Sequence, residues 1–478
     1  SGAIQGHGEI VGVAVAVEGW SGYYPIAHEG GGNMDRRIVL EWFKKVCATD
    51  AVKIFHNAMY DVCWIKAYGI PINGHIIDTM VMASLIDENR LWYTLNSISF
   101  DYLGEVKDEK ALKEAAESWG IDPKKELYKL PAMYVGSYAE KDAELTLELF
   151  KVLSREINKQ RLTNIFDLET QLFPCLIDMK FKGVRVDIER AHKLKQQLCK
   201  QEEELLLAVK KETGQDVQIW AARSIAKVFD KLSLSYHRTE KTNSPSFTKN
   251  FLSTHNHPMV KNIAKAREIN KAHTTFIDTI LKHQHRGRIH ADINPIRSDQ
   301  GGTVTGRFSY SNPNLQQIPA RNKDLGPTTE PICFDESVAS IVEKFKDDSV
   351  DFHQTVADMA NISRTQAKTI NLGLFYGMGK AKLQAELGLN TKDEAEELFN
   401  TYHTNVPFVR DLMNYTSKTA QSSGSIGTLL GRRCRFTKWE PNQFGMHKPM
   451  EFEEAERTYG RGRIRRAFTY KALNKLIQ

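Results

Sequence analysis

The chain has 478 residues, 41% of them hydrophobic and 26% charged, with a formal net charge of +6. That length suits two to four domains with sizeable cores, and the composition is that of a soluble globular protein. The charge is too mild to argue for nucleic acid by itself, six scattered cysteines without a Cys-x-x-Cys pair argue against a zinc site or disulfide framework, and no apolar run reaches membrane-spanning length.

The first residue is Ser1, with neither a methionine nor a signal peptide, which points to a fragment, a processed product or a trimmed chain. Ile10 to Val17 predicts a buried strand, and Tyr23 to Ile26 its hairpin partner. Ile38, Leu40, Trp42, Phe43 and Val46 predict a helix, and Val52 to Phe55 a further strand, giving mixed α/β structure. His56-Asn57-Ala-Met-Tyr60-Asp61 follows that strand directly, where α/β sheets place their chemistry. Tyr138-Ala-Glu-Lys-Asp142 opens a helical run through Leu145, Leu149 and Val152. Taken singly, Asp61 serves equally well as a helix N-cap, and Asp142 reads as a surface charge.

From Glu189 to about Lys211 the chain is helical, with Leu194, Leu198, Leu205 and Val209 on one side, Asp187 as N-cap and Gly214 as the stop. Met259 to Leu281 predicts a second helix carrying Lys261, Lys265, Arg267 and Lys271. Such helices could grip a duplex backbone without reading sequence, although a solvated face has the same appearance. Thr305 to Arg321 is dense in small polar side chains between two arginines and lacks helical or strand periodicity. A loop of this kind can present donors along a minor groove, where acceptor positions hardly vary with sequence. The clusters Arg286-Gly-Arg288, Arg432-Arg433-Cys-Arg435 and Arg461-Gly-Arg463-Ile-Arg465-Arg466 each read alone as solvated loops more readily than as phosphate contacts.

Arg364, Lys368, Leu372 and Tyr376 recur every four residues and form one drifting helical stripe. Two cations, an apolar residue and a phenol on one face suit a nucleoside triphosphate, the cations taking phosphates and the flatter end sugar and base. Spacing alone favours an ordinary amphipathic helix with two surface charges.

These segments, in this order, closely resemble family A DNA polymerases, the group of bacterial polymerase I and the T7-like phage enzymes. Arg364, three residues, Lys368, seven residues and Tyr376-Gly377 match the fingers-helix motif, and Thr305 to Arg321 matches the motif leading into the palm. Asp61 with Tyr138 and Asp142 resembles the second and third motifs of 3′–5′ proofreading exonucleases that carry a tyrosine in the third. The resemblance implies an α/β and α+β multidomain chain. An RNase H-like exonuclease domain would span 1–153, linker and thumb 154–290, an incomplete palm 291–345, and fingers with the start of the return to the palm 346–478.

It also implies site residues. Asp61 and Asp142 would be metal-site carboxylates, Tyr138 would orient the attacking water, Asn57 would contact the DNA strand, and Asp78 would be structural. Lys271 would meet primer–template, Arg307 the primer-terminal minor groove, and Asn312, Gln316 and Arg321 template or primer. His353, in Asp351-Phe-His353-Gln-Thr355, would face the triphosphate, with Arg364 and catalytic Lys368 clamping it. Leu372 would pack on the sugar, where relatives usually carry Phe or Tyr; Tyr376 and Gly377 would sit by the nascent pair and template, and Asn474 and Gln478 on DNA. The implied cofactors are two Mg²⁺ ions per active site, with Mn²⁺ able to substitute. The implied partners are primer–template DNA and dNTPs, acting on a monomer in a bacterial or phage-infected cytoplasm. Helicase-primase, single-strand binding protein and a processivity factor stay open as replisome partners.

Several family features are missing from the sequence. The Asp-x-Glu of the first exonuclease motif is expected just before Ser1; Asp167-Leu-Glu169 and Asp187-Ile-Glu189 have its letters in the wrong context. No Asp-Tyr-Ser or Asp-Phe-Ser follows Arg321, and no His-Asp follows Ala472 to Gln478. Loss of whole strands beside intact neighbours points to missing segments, with Pro327 near a junction. Tyr470 stands where bacterial members have Arg, and Trp439 to Arg466 forms a charged, Gly-rich, phage-like insertion. The sequence therefore predicts a polymerase with proofreading exonuclease. Its alternatives are a stand-alone exonuclease and an inactive DNA-binding scaffold.

Overall fold

The computed structural model describes residues 2–105, 107, 109–123, 125–239, 242–297, 302–318, 357, 363–375, 378–389, 391–405, 407–428, 430–443, 445 and 447–477. Arg321, His353, Tyr376, Gly377 and Gln478 lie outside the described residues, as does the side chain of Leu372. One compact unit comprises Lys180–Asp292 and the chain from Tyr310; the other comprises Gly2–Met179, Ile293–Ser309 and the chain from Phe345.

In the second unit, Gly12–Val17 and Trp20–Pro25 form an antiparallel hairpin with Val17 opposite Trp20. The partner strand begins before the predicted Tyr23, because Trp20 continues the β-forming aromatic run back to a tight turn at Gly19. Asp35 caps helix Arg36–Cys47, whose Val39, Phe43 and Cys47 recur every four residues. Phe43 and Cys47 pack with Val13, Ile65 and Ile70. Lys53–Phe55 and Ile76–Asp78 pair in parallel, with Phe55 opposite Asp78. Helices Ala58–Ala67 and Thr79–Ile86 follow these two strands. Two strand ends and two helix N-termini therefore meet at one point, where open α/β sheets hold ligands.

Helix Ala132–Lys159 packs Leu149, Leu153 and Ile157 against Met82, Leu85 and Ile98. It starts upstream of Tyr138 because Pro131 sits at its N-cap with φ −55° and launches the first turn early. Tyr138 and Asp142 thus stand inside a rigid helix, one turn apart.

In the first unit, Asp187 caps helix Ile188–Thr213 through the Arg190 amide at 2.9 Å, and Gly214 ends it with φ 69°, both as predicted. Leu194 and Leu198 pack with Ile269, Ile277 and Ile280, and Val209 with Phe229, Phe247 and Ile263. The predicted helix Met259 to Leu281 is interrupted: Pro258–Lys271 is α-helical, Ala272–Ile277 makes a π-turn, and Asp278–His283 resumes the α-helix. The π-turn carries His273, a buried side chain whose Nε2 lies 2.6 Å from Glu202 Oε2.

The C-terminal part of the second unit contains helix Arg364–Phe375, as predicted; Ala367, Ile370 and Leu374 pack with Leu383 and Tyr402. Hairpin Ser425–Gly427/Arg433–Arg435 sets Ile426 and Cys434 on Ala420 and Ala472. Hairpin Trp439–Pro441/Ile464–Arg466 brackets helix Phe452–Tyr459, with Arg465 3.0 Å from Glu440. Among the described residues, no helix is long and apolar enough to cross a membrane.

Candidate exonuclease and nucleotide sites

Asp78 organises the point where the two parallel strands end. Its carboxylate accepts the backbone N–H groups of Asn57 at 3.0 Å, Ala58 at 2.9 Å and Met80 at 2.9 Å. The first two require Asn57 to adopt φ 67°, a left-handed conformation that Asn tolerates better than most residues. Asp78 thus has the structural role expected of it. Asp61 lies in the first turn of helix Ala58–Ala67, so it is not the cap of that helix; Asn57 occupies that position.

Burial first, then the charge of Asp78 and more weakly that of Asp142, push the Asp61 carboxyl up to about 7. Asp142 is also raised by burial, with Lys107 and His56 pulling it back. It is therefore a half-buried member of the carboxylate cluster and not the surface charge that its sequence context suggests. Lys107 Nζ lies 2.7 Å from Asp142 Oδ1, donates to the Tyr138 hydroxyl at 3.0 Å, and sits 4.3 Å from the Tyr138 ring centre. Burial opposes the Lys107 charge, but the contacts to Asp142 and Tyr138 outweigh it and hold its pKa above the ordinary lysine value. His56 donates from Nε2 to the Tyr93 carbonyl at 2.9 Å, and its Nδ1 lies 2.9 Å from Thr79 Oγ1.

The structure thus joins Asp142 to Tyr138 through Lys107, with the charge of Asp142 reaching Asp61 weakly. It adds Lys107 and His56, neither of which has a role by sequence alone. No local motif marks Lys107, whereas His56 stands beside Asn57 in the stretch that follows the strand end. Asn57 is exposed at the rim.

The donor chemistry fits a divalent cation: two hard carboxylates that feel each other's charge, one already answered by an ammonium. The donor number falls short, because among the described residues no group of three or more His, Cys, Asp or Glu side chains could hold a metal ion.

On helix Arg364–Phe375, Arg364 is exposed and Lys368 half-buried, one turn apart. Arg307 and Gln316 are exposed. Asn312 is exposed too, and its amide donates to Asp292 at 3.0 Å. Strand Ser309–Ser311 and the 3-10 turn Leu315–Gln317 give the polar stretch more order than its composition suggests. Lys271 is exposed at the end of its helix, but Arg267 turns inward, donating to the carbonyls of Ile219 at 2.6 Å and Phe247 at 2.9 Å. Arg267 therefore leaves the basic face assigned to that helix. Asn474 is half-buried on helix Ala472–Ile477.

A carboxylate cluster at paired strand ends and a helix carrying two cations are compatible with a nucleic-acid enzyme with two centres. Family models agree: one described as 3′-5′ exonuclease matches residues 13–158, and one described as DNA polymerase family A matches 188–329 and 337–478. This chain belongs to DNA polymerase family A and carries a 3′–5′ exonuclease domain.

A DNA-directed DNA polymerase of Pseudomonas phage M6 is 30% identical over 553 residues, covering 98% of this chain and 80% of the relative. DNA polymerase DpoZ of Acinetobacter phage SH-Ab 15497 is 28% identical over 474 residues, covering 84% and 76%. The POL domain of Pol1 from M. smegmatis, solved with DNA primer-template and dNTP, shares the fold at TM-score 0.69 and 20% identity, covering 90% of this chain and 75% of that one. The alignment with the M6 polymerase is longer than the chain itself, so that relative has stretches without a counterpart here. The polymerase-family match is interrupted just after Pro327.

Proposed function

We propose that the two centres act on the same primer 3′ end, one by templated addition of dNTPs and the other by hydrolytic removal of a misadded terminal nucleotide. The exonuclease half is supported by Lys107, which bridges Asp142 and the Tyr138 hydroxyl, and by the charge of Asp142 felt at Asp61 in the first turn of helix Ala58–Ala67. Tyr138 orients a water, whose oxygen bonds to phosphorus as the bond to the leaving 3′-oxygen breaks and that oxygen takes up a proton. Asn57, exposed at the rim, holds the strand end. Mg²⁺, two per centre with Mn²⁺ able to substitute, would supply Lewis acidity and an ionised water, with Asp61 and Asp142 among its holders.

In the polymerase half, Arg364 and Lys368 clamp and neutralise the triphosphate, with His353 facing it, Leu372 against the sugar, and Tyr376 and Gly377 by the nascent pair. Lys271, Arg307, Asn312, Gln316, Arg321, Asn474 and Gln478 hold primer–template by contacts that do not read sequence. The setting is the cytoplasm of a bacterium or an infected host cell.

The sequence has no Asp-Tyr-Ser or Asp-Phe-Ser, and this favours a second reading in which the chain is an exonuclease whose C-terminal half only holds DNA. Asp142→Ala separates the two. A polymerase keeps extending primers while 3′ hydrolysis stops; a stand-alone exonuclease loses every measurable activity. Retained 3′ hydrolysis in that variant would remove the exonuclease assignment altogether.

A further inference from the structure

The arginines of hairpin Ser425–Gly427/Arg433–Arg435 are not solvated. Arg435 meets Glu88 twice, through its backbone N–H and through Nη1, which lies 2.5 Å from Oε2; its Nη2 donates to Gln160 Oε1. The Glu88 side chain is only 3% exposed. Asn89 donates back to the Arg435 carbonyl at 3.3 Å, and Arg432 pairs with buried Glu169. Glu88, Gln160 and Glu169 lie far upstream in sequence, at the end of helix Thr79–Ile86 and around the start of helix Thr163–Lys182.

From Glu88 a line of hydrogen bonds runs to the carboxylate cluster. The carbonyl of its neighbour Asp87 accepts from the Tyr93 hydroxyl at 2.7 Å, and the Tyr93 carbonyl accepts from His56 Nε2 at 2.9 Å. His56 Nδ1 lies 2.9 Å from the hydroxyl of Thr79, the residue next to Asp78. Asp78 in turn fixes the Asn57 and Ala58 amides that start the helix bearing Asp61. On its other side the hairpin touches the loop that carries Arg307: a Cβ at Gly306 would come 2.6 Å from Arg432 Nε.

We propose that Arg435 is a positioning residue for the exonuclease centre. Through Glu88 it holds the 87–93 loop, and with it His56 and the Asn57–Asp78 frame on which Asp61 is mounted. A buried carboxylate needs a charged, hydrogen-bonded partner, so withdrawing the guanidinium lets Glu88 turn toward water and releases the loop. The proposal rests on reading Asp61, Tyr138 and Asp142 as the exonuclease centre, and it makes the C-terminal hairpin part of that centre's support.

The test uses the full chain with Arg435→Gln, Glu88→Gln, Arg435→Lys and the exchanged pair Arg435→Glu/Glu88→Arg. Amide hydrogen exchange over residues 54–61 and 87–97 reads the frame whether or not DNA is hydrolysed. Each Gln variant is expected to speed exchange there by about tenfold, while helix Pro258–Lys271 keeps its protection. Single-strand 3′ hydrolysis falls by about tenfold through turnover, with KM and primer–template affinity within about twofold, and Arg435→Lys recovers part of the loss. Unchanged exchange at 54–61 in a folded Gln variant overturns the proposal, as does faster exchange spread evenly over the chain. If neither Gln variant folds, the exchanged pair decides, and its failure to restore protection also overturns it. Persistent hydrolysis in Asp142→Ala would instead remove the reading of the centre, leaving the exchange comparison to stand by itself.

Discussion

The Lys107 ammonium lies 2.7 Å from Asp142 Oδ1, with only 8% of the lysine side chain exposed. One cation thus neutralises the carboxylate and, through its second contact, fixes the Tyr138 hydroxyl. It stands beside the carboxylates that a divalent ion would share.

Lys107→Met is therefore expected to leave Asp142 with an unanswered charge and to cost about 1–3 kcal/mol in EDTA. Magnesium should return part of that loss. In thermal unfolding, the rise in midpoint on adding Mg²⁺ is expected to be larger for the variant than for the wild type. Equal rises would mean that lysine and ion do not answer the same charge.

Asp61 gives the folded protein a pH dependence whose sign follows from its shift. Its carboxyl is raised from an ordinary value near 4 to about 7, so between these limits the native state holds a proton that the unfolded chain has released. Stability falls as pH rises through that window, by an amount on the order of a few kcal/mol before solvent contact reduces it. Urea melts in EDTA at pH 5 and pH 8 should show the loss, and Asp61→Asn should reduce it, leaving the part owed to Asp78 and Asp142, which burial also raises.

Arg432 and Glu169 form a pair with side chains 7% and 11% exposed. Arg432→Met alone leaves a buried carboxylate and is expected to cost about 3–5 kcal/mol. Arg432→Met/Glu169→Leu should recover most of that, since an apolar pair needs no charge balance. A double-mutant cycle by chemical denaturation measures the coupling, and additive losses would contradict the pairing.

Lys368→Ala removes one of the two cations on helix Arg364–Phe375. Photocrosslinking of labelled dNTP to the primer–template complex in magnesium is expected to fall by about a hundredfold, with 3′ hydrolysis within about twofold. Matched losses in both assays would argue against two separate centres.

Where periodicity carries the signal, the fold was legible in the sequence. The Leu194 and Leu198 stripe, the Asp187 cap and the Gly214 stop mark one helix end to end, because each acts within a few residues. The π-turn at Ala272–Ile277 was not legible, since its composition is that of any helix and only the packing of His273 on Glu202 distinguishes it. Asp61 and Asp142 could be paired through family resemblance but not through spacing, because a strand and several helices separate them. Lys107 stands in a short loop without a motif. Arg432 and Arg435 carry the same letters as a solvated cluster, and their acidic partners are distant in the chain. Arg267 shows the same limit in reverse: a cation at helical spacing with its neighbours, yet capped by two carbonyls.

The hairpin arginines also bear on how this polypeptide can be divided. Cleavage or truncation after Met179 would strip Arg435 of Glu88 and Gln160 and Arg432 of Glu169. Both guanidinium groups would then lose their buried partners and turn to water. A synthesis-only version of the protein would thus lose the acidic partners that orient this hairpin and would gain two freely hydrated positive charges.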